Sequence, residues 1–134
     1  MKSLQYILDE LLLNNIPYKE NGRTPQEGLD CAGLAFYIFK ECKGIILQND
    51  LAKNLSHVTE KWWYTDGEFP QVEAWDIVFF AIKNNPILYT DHVGIVYDSE
   101  SFVHMRKNIG VCKEYLSRWR KHNKIIQIGR YIGT

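Results

Sequence analysis

One cysteine and two histidines of this 134-residue chain have the side chains needed for nucleophilic catalysis. A thiol attacks a carbonyl carbon as the thiolate, and a neighbouring imidazole can take up the thiol proton. A third polar group then holds the imidazole in the tautomer that can accept this proton. We predict that Cys31 is the nucleophile, His92 the base and His104 the residue that orients the base.

Cys31 stands at the predicted start of a helix, directly after Asp30, which is a favourable N-cap residue. The unpaired N–H groups and the dipole of a helix N-terminus favour negative charge, so they would lower the pKa of the thiol. The same N–H groups could bind the oxyanion that forms during attack on a carbonyl. The alternative interpretation is a small buried apolar residue, which is the usual role of a cysteine.

The other two cysteines are interpreted as core residues. Cys42 falls on the apolar stripe of the helix that Cys31 begins, and Cys112 lies in a segment without an obvious basic partner. Three widely separated cysteines form no disulfide framework. No secretory signal is visible either, so we expect synthesis in a reducing compartment, the cytoplasm. Export by another route stays open, for example as part of a larger particle.

His92 and His104 are predicted to share one face of a β-hairpin whose loop covers residues 98–100. With a three-residue loop, Gly94 is opposite His104, and His92 lies on the diagonal from His104, with about 7–8 Å between the two backbones. Gly94 leaves the space between the rings open and would let the helix end that bears Cys31 approach the sheet. A register slip of one residue would place the rings on opposite faces. The alternative is that both are ordinary strand histidines.

Zinc binding is the competing chemistry for cysteines and histidines. Zinc sites show paired spacings such as C-x-x-C or H-x-x-x-H, which are missing here. We therefore expect no metal and no other cofactor. The chain has 16 basic and 16 acidic residues, so its charge gives no reason to expect nucleic acid or an acidic membrane as partner. No run approaches the roughly 20 apolar residues that span a bilayer.

The elements that must position these residues fit a single catalytic domain over residues 1–134, which is long enough for one core. Apolar residues at helical spacing predict two helices before residue 45, and residues 45–74 show no clear pattern. The later segments have the period of strands, and the first of them is apolar on both faces, as in a central strand. The sequence predicts an α+β fold, with N-terminal helices on a mainly antiparallel sheet. Strands are predicted at 76–82, 92–97, 101–105, from 111 and at 125–132, with a short helix at 115–121.

The motifs around these residues resemble the NlpC-type cysteine peptidases, which are papain-like bacterial enzymes that cut peptide bonds in cell-wall peptides. The resemblance extends from about Pro17 to the last strand and keeps the order cysteine, histidine, histidine. It rests on four segments, which are Gly28-Leu29-Asp30-Cys31-Ala32-Gly33-Leu34, residues 76–80, His92-Val93-Gly94-Ile95-Val96 and Phe102-Val103-His104.

The resemblance implies a role for each of five residues and a substrate. Cys31 would be the nucleophile, His92 the general base and His104 the orienting residue. Tyr18 is similar to a tyrosine that helps to form the oxyanion site or binds substrate. Asp30 matches an aspartate that helps to hold the free amine of the peptide. The implied fold is papain-like, and the implied bond is the amide between D-glutamate and a diamino acid in the peptidoglycan stem.

Two departures from the family's pattern leave other functions open. Ala32 stands where serine is common, and Trp75 replaces a glycine before the first central strand, so the substrate could differ. One alternative is an amidase or acyl transferase of the same fold acting on a non-wall substrate. The other is a non-catalytic phage-tail module, with the aromatic residues 62–64 as contact surface. A single catalytic domain also resembles tail-associated peptidases, for which a phage-tail protein would be the partner.

Overall fold

The computed structural model describes residues 2–47, 62–66, 72–81, 92–120 and 124–131. Two helices precede most of the sheet, and a short third helix precedes the last strand, as the sequence predicted. The elements are α1 (Leu4–Leu13), β1 (Arg23–Thr24), β2 (Gly28–Leu29), α2 (Cys31–Lys43), β3 (Trp62–Asp66), β4 (Ile77–Ala81), β5 (His92–Val96), β6 (Ser101–Arg106), β7 (Gly110–Tyr115), α3 (Leu116–Arg120) and β8 (Lys124–Tyr131).

Within the described residues, six strands form one antiparallel sheet in the order β3-β8-β4-β5-β6-β7. Strands β1 and β2 form a separate two-residue ribbon before α2. The predicted α+β fold with a mainly antiparallel sheet is therefore confirmed. No helix in the described ranges is long and apolar enough to cross a membrane.

Helix α2 begins and ends where its sequence indicates. The carboxylate of Asp30 accepts a hydrogen bond from the N–H of Gly33 at 2.7 Å, which caps the first turn. Gly44 ends the helix in the left-handed conformation, with φ of 67°, which a glycine adopts without strain. Cys42 is buried in the core on the inner side of this helix, as predicted. These two ends place Cys31 in the first turn of α2.

The sheet separates two apolar layers. On one face, α1 and α2 pack against side chains of β4, β5 and β6 such as Ile77, Val93 and Val103. On the other face, Trp119 of α3 packs with Phe102 and neighbouring side chains. Strand β4 contributes buried residues to both layers, so its prediction as a central strand is confirmed.

The β5–β6 hairpin has the predicted register. Val96 pairs with Phe102 across the two strands, and the N–H of Tyr97 donates to the carbonyl of Ser101 at 2.9 Å. The loop is closed by Asp98, whose Oδ1 accepts hydrogen bonds from two main-chain N–H groups. His92 and His104 consequently lie on one face of the sheet.

The expected role of Gly94 in admitting a helix end is wrong. A Cβ atom at Gly94 would lie 2.6 Å from Cδ2 of Phe102, so a phenyl ring occupies the space above this glycine. This ring belongs to the layer opposite α2. Gly94 therefore accommodates the aromatic ring beside the histidines rather than the helix that bears Cys31.

Trp75 packs at the C-terminal end of α2. Its ring meets Phe39 edge-on with centroids 5.3 Å apart, and Nζ of Lys43 lies 4.7 Å from its centroid. It lines a cavity of about 530 Å³ there, at the opposite end of a 13-residue helix from Cys31. The φ of 77° explains why a glycine suits this position. Trp75 therefore lies away from the candidate nucleophile. The side chains of residues 62–64 lie outside the described part of the chain.

Candidate active site

The thiol of Cys31 is half-buried against strand β5. The N–H groups of Val93, Ala32 and Cys31 itself hydrogen-bond toward its sulfur. Burial raises the pKa of the thiol, and it outweighs these N–H groups, which lower the pKa. The predicted lowering by the helix N-terminus is therefore present but overcome. Cys31 needs a base to become a thiolate near neutral pH.

The two histidines are in direct contact. Nε2 of His92 lies 2.7 Å from Nδ1 of His104, which is a hydrogen bond, and the ring planes are 77° apart. Both rings are buried, with 6% of His92 and 0% of His104 exposed. The structure thus brings together the predicted base and the predicted orienting residue.

Cys31 and His92 approach the same strand from its two faces. The sulfur of Cys31 faces the N–H of Val93, which directly follows His92. The ring of His92 lies over the opposite layer, where Trp119 stacks on it at 5.4 Å and 20° between planes. His92 is the first residue of β5 and therefore lies at the end of the strand. The structure places the sulfur of Cys31 against the main chain of the residue that follows His92.

The second ring nitrogen of His104, Nε2, faces the acidic residue Glu114. Nε2 of His104 is 3.5 Å from Oε1 of Glu114 and makes no shorter hydrogen bond among the described residues. This distance is longer than an ordinary N–H···O bond, so the contact is mainly electrostatic. Burial and the neighbouring His92 lower the pKa of His104 to about 3, and Glu114 opposes that shift. His104 is consequently neutral at physiological pH.

Glu114 is held by several donors. Burial raises the pKa of this carboxyl, but hydrogen bonds from the indole N–H of Trp119 and the thiol of Cys112, with the nearby His104 and Arg106, together lower the pKa below its ordinary value. Nη1 of Arg106 lies 3.0 Å from its Oε1. Glu114 is therefore ionised beside the histidine pair.

The sequence did not point to three residues around the histidine pair, which are Glu114, Trp119 and Arg106. The prediction that Cys112 is a core residue is wrong. Cys112 is half-buried, and it pairs with His104 on the neighbouring strand. Glu114 is two residues further along β7, so its side chain lies on the same face as that of Cys112. The register of the β6–β7 hairpin is the signal that could have found this group. That register depends on a turn with left-handed φ angles, 69° at Asn108 and 103° at Gly110.

The predicted substrate-binding residues flank Cys31. The main chain of Tyr18 pairs with Leu29, and 37% of the residue is exposed. Burial raises the pKa of its hydroxyl, and the charges of Cys31 and Asp30 raise this pKa further. The pairing with Leu29, two residues before Cys31, places Tyr18 near the candidate nucleophile.

Asp30 organises the loop that leads into α2. Besides capping Gly33, its carboxylate accepts the N–H of Asn21 at 2.7 Å and Nη1 of Arg23 at 2.8 Å. These contacts give Asp30 a structural function. Its predicted contact with a substrate amine stays a prediction.

His104, Cys112 and Glu114 also offer three ligand atoms within 4.8 Å of one another. A metal would require the thiolate of Cys112, but burial and Glu114 raise the pKa of this thiol to about 12. The positively charged guanidinium of Arg106 also lies 3.0 Å from Oε1 of Glu114, the oxygen that a metal ion would need. This donor set therefore suits a hydrogen-bonded network better than a metal ion.

Comparison with known proteins identifies the family of the chain. Residues 15–128 match the model of the NlpC/P60 family. Gamma-DL-glutamyl hydrolase of Bacillus subtilis is 29% identical over 117 residues, which are 87% of this chain and 26% of that protein. Murein DD-endopeptidase MepH of Escherichia coli is 28% identical over 87 residues, 65% of this chain and 30% of that protein. This chain thus spans less than a third of the length of either relative.

The structural comparison agrees with the sequence match. The crystal structure of the NlpC/p60 domain of peptidoglycan hydrolase SagA has a TM-score of 0.63 and 18% identity, with 96% of each chain covered. At this identity the likeness shows the fold, and the predicted papain-like fold is confirmed. The family model covers most of the sequence, so this chain belongs to the NlpC/P60 family of cysteine peptidases.

Proposed function

We propose that this chain is a cysteine endopeptidase that hydrolyses amide bonds in the stem peptides of bacterial peptidoglycan. The observation that carries the proposal is the histidine pair, joined at 2.7 Å, in which His92 is the first residue of β5 and directly precedes Val93, whose N–H faces the sulfur of Cys31. The names of the two relatives, a gamma-DL-glutamyl hydrolase and a murein endopeptidase, support a wall peptide as substrate. The bond that we propose is the one between D-glutamate and a diamino acid.

The proposed reaction begins with proton transfer from the Cys31 thiol to His92. Nε2 of His92 is engaged by His104, so Nδ1 is the nitrogen that takes the proton. The thiolate attacks the amide carbon, and N–H groups at the start of α2 stabilise the oxyanion. His92 returns the proton to the leaving amine as the C–N bond breaks. Water then hydrolyses the thioester and restores the thiol.

The charge states of the site support this sequence of steps. Burial raises the pKa of Cys31, so its proton must be removed by a base. His104 is neutral because burial lowers its pKa to about 3, so it can hydrogen-bond to a protonated His92 without repelling it. The histidine pair can therefore hold the transferred proton while the thiolate attacks.

Substitution of the nucleophile tests the proposed function. Cys31→Ala is expected to lower the release of peptide fragments from purified peptidoglycan by about a thousandfold or more, because the attacking atom is lost. Mass spectrometry of the fragments measures the rate and identifies the bond cleaved. Cys42→Ala removes a buried thiol from the same helix and is the matched control, with activity retained. Undiminished hydrolysis by Cys31→Ala would contradict the mechanism.

A second candidate keeps the fold and changes the substrate. Ala32 follows the nucleophile and is buried, so a hydroxyl that could contact a wall peptide is missing. An amidase or acyl transferase acting on a non-wall substrate would form the same thioester on Cys31. Trapping of an acyl group from a lipid or a small amide on Cys31, without cleavage of wall peptides, would favour this candidate.

A further inference from the structure

Glu114 is an acidic residue beside the histidine pair that the reaction described above does not use. In the β6–β7 register, His104 pairs with Cys112, and Glu114 lies two residues further along β7 on the same face. Its Oε1 is 3.5 Å from Nε2 of His104. This nitrogen is fully buried and makes no shorter hydrogen bond in the described part of the chain.

The carboxylate is fixed in position from its other sides. Oε2 accepts the indole N–H of Trp119, whose ring also stacks on His92. Oε1 accepts hydrogen bonds from Nη1 of Arg106 at 3.0 Å and from the thiol of Cys112 at 3.4 Å. Each of these neighbours is a hydrogen-bond donor to Glu114. The carboxylate can therefore only accept hydrogen bonds at this position.

The chemistry of these groups determines which nitrogen of each ring carries a proton. A carboxylate facing Nε2 of His104 favours the tautomer with the proton on that nitrogen. A neutral imidazole has one such proton, so Nδ1 of His104 keeps a lone pair. This lone pair accepts a hydrogen bond from Nε2–H of His92 across 2.7 Å. In neutral His92, Nδ1 is then the unprotonated and basic nitrogen.

We propose that Glu114 is a positioning residue that sets the tautomers of both histidines, so that Nδ1 of His92 is unprotonated and can take the thiol proton. The inference rests on the proposed function, because it assigns His92 as the base for Cys31. Glu114 touches neither substrate nor the reacting sulfur. Its effect passes through His104, and it adds a fourth group to the three predicted from the sequence.

The test uses the full chain and the variant Glu114→Gln. Glutamine keeps the size of the side chain but has no negative charge. Without the carboxylate charge, the preference of His104 for a proton on Nε2 is weakened, and with it the preference of His92. We expect kcat for release of wall peptides to fall about tenfold to a hundredfold, with little change in KM, as for loss of an orienting group. Glu100→Gln, at an exposed loop position, is the matched control.

Nuclear magnetic resonance of ¹⁵N-labelled histidine at neutral pH measures which nitrogen of each ring carries the proton. A purely structural role of Glu114 would leave these tautomers unchanged. In the native protein we expect both His104 and His92 to be protonated on Nε2. In Glu114→Gln the proton of each ring should shift toward Nδ1. Arg106→Gln removes another neighbour of the carboxylate but retains the negative charge of Glu114, and it should keep the native tautomers.

Two results would overturn the inference. One is a native protein with His104 protonated on Nδ1, a measurement that needs no variant to fold. The other is a Glu114→Gln protein with native tautomers and undiminished kcat. Failure of the proposed function is recognised separately, by activity that survives Cys31→Ala. That result would also overturn the role of Glu114, since no base for Cys31 would remain to be positioned.

Discussion

At the scale of single residues, the proposed site contains a neutral nucleophile and a neutral orienting residue in the resting protein. Burial raises the pKa of Cys31 and, together with His92, lowers the pKa of His104. Both shifts have the same physical origin, because burial disfavours whichever form of a group is charged. Proton transfer from Cys31 to His92 is therefore the event that first creates charge on the nucleophile and the base.

The reactivity of Cys31 toward iodoacetamide tests this description. In His92→Ala, alkylation should require a pH above the ordinary thiol range, because burial raises the pKa of Cys31 and no base assists. In the native protein, His92 takes the proton, so we expect alkylation at pH 7 to be at least about tenfold faster. Peptide mapping separates Cys31 from Cys42 and Cys112. Equal rates in the two proteins would show that His92 does not act on this thiol.

At the scale of elements, the start of α2 depends on one carboxylate. Asp30 caps Gly33, accepts the N–H of Asn21 and pairs with Arg23. A single side chain thus joins the loop before the helix to the first turn that carries Cys31. Any substitution at this position affects the geometry of the thiol as well as contacts with substrate.

Two substitutions separate these effects of Asp30. Asp30→Ala removes the cap and is expected to lower the free energy of unfolding by about 1–2 kcal/mol in urea denaturation. Asp30→Asn keeps a capping oxygen and should retain most of the stability. If Asp30 also holds a substrate amine, as the family resemblance predicts, Asp30→Asn should raise KM for stem peptides with a free amine about tenfold. Equal KM values for free and acylated peptides would leave Asp30 only its structural function.

The β5–β6 hairpin shows how much of the site could be predicted from the sequence. Side chains alternate along a strand, so a three-residue loop was enough to predict that His92 and His104 share a face. The pattern of apolar residues likewise predicted α2 and the central strand β4. These elements are specified locally, by period and by capping residues.

The positions of Glu114 and Trp75 could not be predicted from local sequence patterns. The position of Glu114 depends on the turn at residues 107–109 and on the packing of Trp119, which joins α3 to the sheet. Trp75 adopts a positive φ that tryptophan rarely has, and only the packing against Phe39 and Lys43 accounts for its location. Tertiary contacts determine both positions, and no local pattern encodes them.

At the scale of the whole molecule, the buried histidine pair makes the free energy of unfolding depend on pH. Unfolding exposes His104, whose pKa would rise from about 3 to its ordinary value of 6.5. The unfolded chain therefore binds more protons between these values, and folding stability must fall as the pH decreases below about 6.5. Cytoplasmic synthesis, a single domain and delivery within a phage-like particle stay predictions at this scale.

The pH dependence of unfolding is expected to show this proton uptake. Between pH 7 and 5 the free energy of unfolding of the native protein should decrease more steeply than that of His104→Asn, which has no imidazole to protonate at this position. Carboxyl groups stay largely ionised over this range, which limits their contribution. Urea denaturation at several pH values measures the two slopes. Parallel slopes would mean that His104 does not remain neutral in the folded state.

The positions of Cys31, Glu114 and Trp119 along the sequence have a consequence for the growing chain on the ribosome. The candidate nucleophile is made early, in the first quarter of the sequence, whereas Glu114 and Trp119 are made near its end. The two apolar layers that carry these groups share β4, β5 and β6. A nascent chain therefore holds its thiol long before it can form the buried histidine network, and the proposed activity can begin only when nearly all of this sequence has been translated.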